Sequence, residues 1–146
     1  MPRPRVFLDS SVIIAVLLSS SGGSSRILTD AEGRFAFKIN SYIFDEVRGI
    51  LETKFARQPE LATNLLILLG LSNVEIVSDA SRREVRSTAQ FISRNDAPVL
   101  AGALTASDYL LTLDNEFFTE KVVEMATKHK LTILKPGDFI ARFFPG

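Results

Sequence analysis

Short apolar runs alternate along the chain with longer segments in which apolar residues recur about every 3.6 positions. The short runs predict strands at residues 5–8, 74–77, 109–113 and 131–134, of which 5–8 and 109–113 are expected to be buried, and the alternating residues 34–39 predict a fifth strand. The longer segments predict helices at 12–18, 26–32, 41–55, 59–71, 81–93, 99–106, 117–128 and 138–144. Strands that alternate with helices indicate an α/β fold with a parallel sheet covered on both faces. The mixed basic and apolar residues of 34–39 suit a strand near the sheet edge.

Local signals predict where several helices begin and where one loop lies. Ser10 or Ser11 is predicted to cap the first helix and Ser41 the third, because serine is a favoured residue at that position. Pro59 fits the first turn of the next helix, where its missing N–H costs nothing. The serine- and glycine-rich stretch 19–25 predicts a flexible loop that could open or close over a site.

Composition limits the classes of protein that this chain can belong to. Its 146 residues, 46% of them hydrophobic, suit one compact domain over residues 1–146. The 17 basic and 17 acidic residues cancel, so a nucleic-acid partner would be held by a local patch. The absence of cysteine excludes disulfides and thiolate sites and fits a reducing cytoplasm. Asp9 interrupts the apolar amino-terminal region and the run 12–18 is too short to cross a bilayer, so we expect a cytoplasmic protein without a membrane partner.

Four acidic residues stand where apolar segments meet turns or helix starts. Asp9 follows the first predicted strand and Asp114 follows the fourth, so both would emerge at the carboxyl edge of a parallel sheet. Glu46 and Asp96 lie near predicted helix starts. The 3.6-residue period places Glu46 at the flank of an apolar helix face, whereas Asp45 points to solvent. The four carboxylates are therefore candidate catalytic and metal-binding residues.

Each of these carboxylates also has a plain structural interpretation. Asp9 and Asp96 are suitable helix caps, Glu46 would favour the positive end of its helix, and Asp114 could cap the helix that follows. Their combination favours a metal site, because Mg²⁺ or Mn²⁺ prefers carboxylate oxygens and promotes phosphodiester hydrolysis. His129 is the single histidine, so a zinc site or a serine–histidine triad has little support.

The segments around these acids resemble the four ordered motifs of PIN domains. They are VFLDSSVII at 6–14, YIFDEV at 42–47, NDAPVLAGAL at 95–104 and SDYLLTLD at 107–114. The resemblance covers nearly the whole chain. It implies a three-layer α/β/α sandwich with a central parallel sheet and a metal-dependent endoribonuclease site that uses Mg²⁺ or Mn²⁺, with Asp9, Glu46, Asp96 and Asp114 as ligands. The small size is similar to VapC-like toxins, which implies a structured RNA substrate and a cognate antitoxin.

A few positions around the motifs extend the resemblance or depart from it. Ser10 and Ser11 match the small polar pair after the first acid, and Thr112 matches the usual hydroxyl before the last. Leu113 stands where many members have glycine, and Glu116 is an additional acid that only some members use. Whether Thr112 or Glu116 assists the site stays open at this stage.

Other residues and surfaces of the chain are assigned less specific roles. Asp108 precedes a strand, so it is predicted to form a turn outside the site. The apolar helices 12–18 and 139–144 are candidate surfaces for a homodimer or an antitoxin helix. The densest basic stretch could contact phosphate, but exposed helices carry such charges routinely. Its arginines are Arg82, Arg83, Arg86 and Arg94.

Two other functions compete with the nuclease hypothesis. A response-regulator receiver domain is of similar length and also uses strand-end aspartates with Mg²⁺. Receivers need adjacent acids after the first strand, whereas Ser10 and Ser11 follow Asp9 here, although the pair Lys135-Pro136 is receiver-like. The other alternative is a PIN-like module that binds RNA or protein without cleaving it.

Overall fold

The computed structural model describes residues 2–19, 22–30 and 33–145. In these ranges the chain forms five strands and eight α-helices, with a 3₁₀ turn at Asn115–Phe118 between β4 and α7. The strands are β1 Arg5–Leu8, β2 Ala36–Asn40, β3 Glu75–Val77, β4 Tyr109–Leu111 and β5 Thr132–Leu134. The helices are α1 Ser10–Leu18, α2 Gly23–Asp30, α3 Ser41–Lys54, α4 Glu60–Leu71, α5 Arg82–Thr88, α6 Ala97–Ala106, α7 Glu120–Lys128 and α8 Pro136–Phe143.

All neighbouring strands of the sheet are parallel, in the order β3-β2-β1-β4-β5. The central strand is β1, in which Val6 is in register with Phe37 on one side and Tyr109 on the other. The strand order therefore reverses on passing from β1 to β4. In open α/β sheets this reversal leaves a crevice at the carboxyl ends of the strands, where ligands bind. The predicted α/β/α sandwich with a central parallel sheet is confirmed.

The hydrophobic core lies between this sheet and the helices that pack on it. Phe7 and Leu8 of β1 and Leu110 and Leu111 of β4 are at most 1% exposed. Strands buried on both faces have continuous apolar sequences instead of alternating ones, which explains the short apolar runs. The core therefore fixes the carboxyl ends of β1 and β4, and with them the positions of the residues that follow.

Several predicted boundaries differ from the observed ones. The strand predicted at 34–39 near the sheet edge is observed as β2 at Ala36–Asn40, between β1 and the edge strand β3. Its Lys38 side chain is largely buried and lies 3.9 Å from Glu75 of the edge strand. The predicted helix 81–93 ends at Thr88, and the predicted strand 109–113 ends at Leu111.

The two predicted serine caps were also wrong. Asp9 caps α1 and Asn40 caps α3, one residue before each helix begins. The predicted loop 19–25 is helical from Gly23 onward, and its residues 20–21 lie outside the described residues, as do residues 31–32 of the predicted second helix.

No single helix in the described ranges is both long and apolar enough to cross a membrane. One bent pair, Ser10–Leu18 with Gly23–Thr29, reaches that length and composition only when its two helices are taken together.

Candidate metal centre

Asp9 leaves the end of β1 as a buried carboxylate that is 3% exposed. Its Oδ1 accepts a hydrogen bond from the Ser10 backbone N–H at 2.8 Å, which caps α1. Its Oδ2 accepts hydrogen bonds from Ser11 Oγ at 2.8 Å and from Thr112 Oγ1 at 2.7 Å. Donors on both oxygens fix the orientation of this carboxylate. Helix capping and a place in the site are thus compatible roles for this one side chain.

Glu46 lies on the second turn of α3, half-buried and facing Asp9. Asn40 positions the start of this helix, because its buried Oδ1 accepts a hydrogen bond from Ile43 N at 2.9 Å. The Glu46 carboxylate accepts a hydrogen bond from the Ser10 hydroxyl, which also lies 3.4 Å from Asp9 Oδ1. Burial raises the pKa of Glu46, the Ser10 hydrogen bond partly opposes this, and the Asp9 charge adds to it. Ser10 therefore connects two of the predicted acids.

The other two predicted acids meet an additional carboxylate. Oxygens of Asp96, Asp114 and Glu116 all lie within 4.8 Å of one another. Asp114 Oδ1 accepts a hydrogen bond from Glu116 N at 2.9 Å, which holds the 3₁₀ turn. Glu116 Oε1 accepts from the Ser93 backbone N–H at 2.8 Å. The sequence signal for Glu116 was an acid two residues after Asp114, and the 3₁₀ turn brings that acid back beside Asp96.

A shared proton reduces the repulsion in this cluster of three carboxylates. Burial, together with the hydrogen bond to Glu116 and the charges of Asp114, Glu116 and Asp9, raises the pKa of Asp96 to about 8. The same hydrogen bond from Asp96, with the Ser93 N–H, lowers the pKa of Glu116. Near neutral pH Asp96 therefore holds a proton that it donates to the ionised Glu116. Because the Asp9 charge contributes to the raised pKa of Asp96, Asp9 lies within electrostatic range of Asp96.

Thr112 and Tyr42 connect the two halves of the site. The Thr112 hydroxyl is fully buried, donates to Asp9 and accepts from the Asp114 backbone N–H at 3.0 Å. The Tyr42 hydroxyl donates to the Asn95 carbonyl at 2.8 Å. Burial and then the charges of Glu46, Asp96 and Asp9 raise the pKa of Tyr42. Sequence reasoning did not single out Tyr42, although it lies in the segment that carries Glu46.

Other polar residues weighed in the sequence lie elsewhere. Asp45 is exposed, as its helical position indicated. Asp108 accepts hydrogen bonds from the Arg5 backbone and side chain, which lower its pKa, and its interaction is a surface ion pair of 3.3 Å. His129 ends α7, and its Nδ1 lies 2.9 Å from the Met125 carbonyl oxygen. The candidate metal centre therefore consists of carboxylates and hydroxyls.

The donor set suits a hard divalent cation. Carboxylate oxygens are the ligands that Mg²⁺ and Mn²⁺ prefer, and both ions commonly retain water beside a few carboxylates. In the described part of the chain no histidine belongs to the cluster of Asp96, Asp114 and Glu116. A cation would also replace the proton that Asp96 holds at neutral pH. The residues therefore fit Mg²⁺ or Mn²⁺ on chemical grounds.

Comparison with known proteins relates this geometry to a family. The family model of the PIN domain matches residues 5–116 of the chain. The crystal structure of PAE2754 from Pyrobaculum aerophilum has a TM-score of 0.64 at 16% identity, over 99% of this chain and 100% of that chain. VapBC2 from Rickettsia felis, solved bound to a DNA fragment from their promoter, has a TM-score of 0.65 at 17% identity, over 90% of this chain and 98% of that chain. No curated protein matches the sequence.

Proposed function

Because the chain belongs to the PIN domain family, we propose that it is an endoribonuclease that depends on Mg²⁺ or Mn²⁺. PIN domains are generally nucleases, and they typically use divalent metals. The observation that carries the proposal is the cluster of three carboxylates within 4.8 Å. The Asp9 charge acts both on Asp96 of this cluster and on Glu46. Acids placed this closely are unfavourable without a proton or a cation between them.

In the proposed mechanism, Asp9, Glu46, Asp96 and Asp114 hold the cation directly or through water. When bound, the ion would lower the pKa of a water and neutralise charge on the phosphate as water attacks it. Asp96, whose pKa is raised to about 8, would have to lose its proton before its carboxylate could hold a cation. The hydroxyls of Ser11 and Thr112 keep the Asp9 carboxylate in one orientation throughout. No covalent enzyme intermediate is required.

The test is incubation of the purified protein with total RNA and Mn²⁺. The controls are addition of EDTA and the variant Asp96→Asn. A matched pair of variants, Glu46→Gln and Asp45→Asn, compares two neighbouring acids of α3, of which only Glu46 faces the site. We expect RNA fragments from the wild type and from Asp45→Asn. The rate of RNA cleavage should fall about 100-fold or more in Asp96→Asn and in Glu46→Gln. Retarded RNA without fragments would instead favour the non-cleaving module. Equal cleavage by all variants would place the reaction elsewhere.

The receiver-domain alternative is not supported by the strand order. Receivers have the order 2-1-3-4-5, whereas this sheet has the order β3-β2-β1-β4-β5. The residue directly after β3 is Ser78, so this strand is not followed at once by an aspartate that could accept a phosphoryl group. Labelling by acetyl phosphate is therefore expected to be absent.

We further propose that the chain is the toxin of a toxin–antitoxin pair. The similarity in fold to VapBC2 supports this, as does the match over 98% of that chain. Of the two candidate partner surfaces, α8 packs one apolar side on the core, where Phe139 is fully buried among Phe35, Phe143 and Tyr109. Expression should arrest growth, and Asp9→Asn should relieve the arrest. Arrest of equal strength by that variant would refute a catalytic toxin.

A further inference from the structure

A groove of about 830 Å³ lies between α5, α6 and α7, outside the residues of the metal centre. We call it the α5–α7 groove. Apolar side chains line it, among them Leu104 of α6 and Met125 of α7. Its cations are Arg83 of α5 and Lys121 and Lys128 of α7. Its volume is in the range of sites that bind organic ligands, which are about 300–1,000 Å³.

One end of this groove adjoins the carboxylate cluster. Glu116 accepts a hydrogen bond from Ser93 N, and Phe91, two residues earlier, lines the groove. Lys121, at the start of α7, lies 5.6 Å from the centre of the Phe91 ring. Helix α6 begins directly after Asp96, and α7 begins four residues after Glu116. The groove is lined by residues of both helices and therefore follows them away from the candidate metal centre. A chain leaving the metal centre in this direction would enter it.

The charges of the groove suit an anionic polymer. Arg83, Lys121 and Lys128 are exposed, and in the described part of the chain they form no salt bridge. Two acids, Glu84 and Glu124, also line the groove, so its formal charge is +1 with His129 neutral. The protein has no net charge, so attraction of phosphate near the acidic centre must come from local cations of this kind.

We propose that the α5–α7 groove binds the single-stranded RNA segment that flanks the scissile phosphate. The phosphates contact Arg83, Lys121 and Lys128, and a base packs on Phe91 and the apolar lining. Grooves for single strands combine cations that follow the backbone with aromatic rings on which bases stack. The two lysines are separated by about 10 Å along α7, which spaces the cations along a short run of nucleotides. This inference rests on the proposed RNA substrate, but not on catalysis.

The test measures RNA binding without cleavage. Fluorescence anisotropy of a labelled 12-nucleotide single-stranded RNA is recorded in EDTA at several salt concentrations. The groove variant is Arg83→Gln/Lys121→Gln/Lys128→Gln. The matched control removes the same charge from exposed positions on other segments. It is Arg3→Gln/Lys54→Gln/Arg57→Gln. Thermal unfolding of both variants verifies that they are folded.

The expected result is an affinity loss of roughly tenfold or more at low salt in the groove variant only. The slope of log affinity against log salt should also fall by about 2, because each single-strand phosphate contributes about 0.7. Equal losses in the groove and control variants would overturn the proposal, as would failure of the folded wild type to bind this RNA. Equal competition by an acidic peptide would also overturn it and indicate a protein ligand. If only the groove variant loses RNA affinity but the wild type shows no metal-dependent cleavage, RNA binding by the groove would be supported and the proposed nuclease activity refuted.

Discussion

Replacement of Asp96 with asparagine should stabilise the metal-free protein and remove most of its stabilisation by metal. The oxygens of Asp96, Asp114 and Glu116 lie within 4.8 Å of one another. At that distance two unit charges repel by about 3.5 kcal/mol at a dielectric of 20 and about 0.9 kcal/mol in water. Asp96 is half-exposed, so solvent screens this repulsion, and its removal should raise the free energy of unfolding by about 1–2 kcal/mol. In a domain of this size that corresponds to about 3–8 °C in melting temperature.

The pH dependence gives the sign of this effect. Asp96 has a pKa of about 8 in the folded protein, above its ordinary value of 3.8. Between these pH values the folded chain holds a proton that the unfolded chain releases, so this group makes the wild type less stable as pH rises. Asparagine does not titrate. The advantage of Asp96→Asn should therefore be small near pH 5, grow towards pH 8 and then level off.

The assay is differential scanning calorimetry from pH 5 to pH 9, in EDTA and in excess Mn²⁺. In Mn²⁺ the wild type should gain about 2.7 kcal/mol at 100 times the dissociation constant, and the variant much less. Asp45→Asn is the matched control, because Asp45 is an exposed acid outside the cluster. A variant that melts at or below the wild-type temperature at pH 9 in EDTA would refute the reasoning. So would a difference that does not grow with pH.

Three further substitutions test how the scaffold holds the site. Thr112→Val removes the buried hydroxyl 2.7 Å from Asp9 and should cost about 1–3 kcal/mol, with reduced RNA cleavage; an unchanged urea midpoint would contradict the bridging role. Gly102→Ala would place a Cβ 2.8 Å from Asn40 Nδ2, so overpacking should lower the urea midpoint by the equivalent of about 1–3 kcal/mol. Asp108→Asn breaks only an exposed ion pair and should change stability by less than about 1 kcal/mol without loss of cleavage, and a large loss would place Asp108 in the site.

The boundaries that sequence patterns predicted poorly share a physical cause. Asp9, Ser10, Asn40 and Ser41 all have side chains that can cap a helix, and which residue does so depends on where the preceding strand ends. The predicted helix 81–93 stops at Thr88, and the chain beyond it turns so that Ser93 N donates a hydrogen bond to Glu116. These outcomes depend on contacts between segments far apart in sequence. Local periodicity contains no information about them.

The order of hydrophobic and polar segments was sufficient to determine the alternation of strands and helices, the parallel sheet and the placement of acids at strand ends and helix starts. It also determined that Glu46 faces inward and Asp45 outward, because the helical period is a local property. Only the tertiary structure decided that β2 lies inside the sheet and that Glu116 joins Asp96 and Asp114. The protonation of Asp96 was decided there as well, because burial and the fields of several carboxylates act through space. Strand order and electrostatic coupling arise from distances between remote residues, and those distances exist only once the chain has folded.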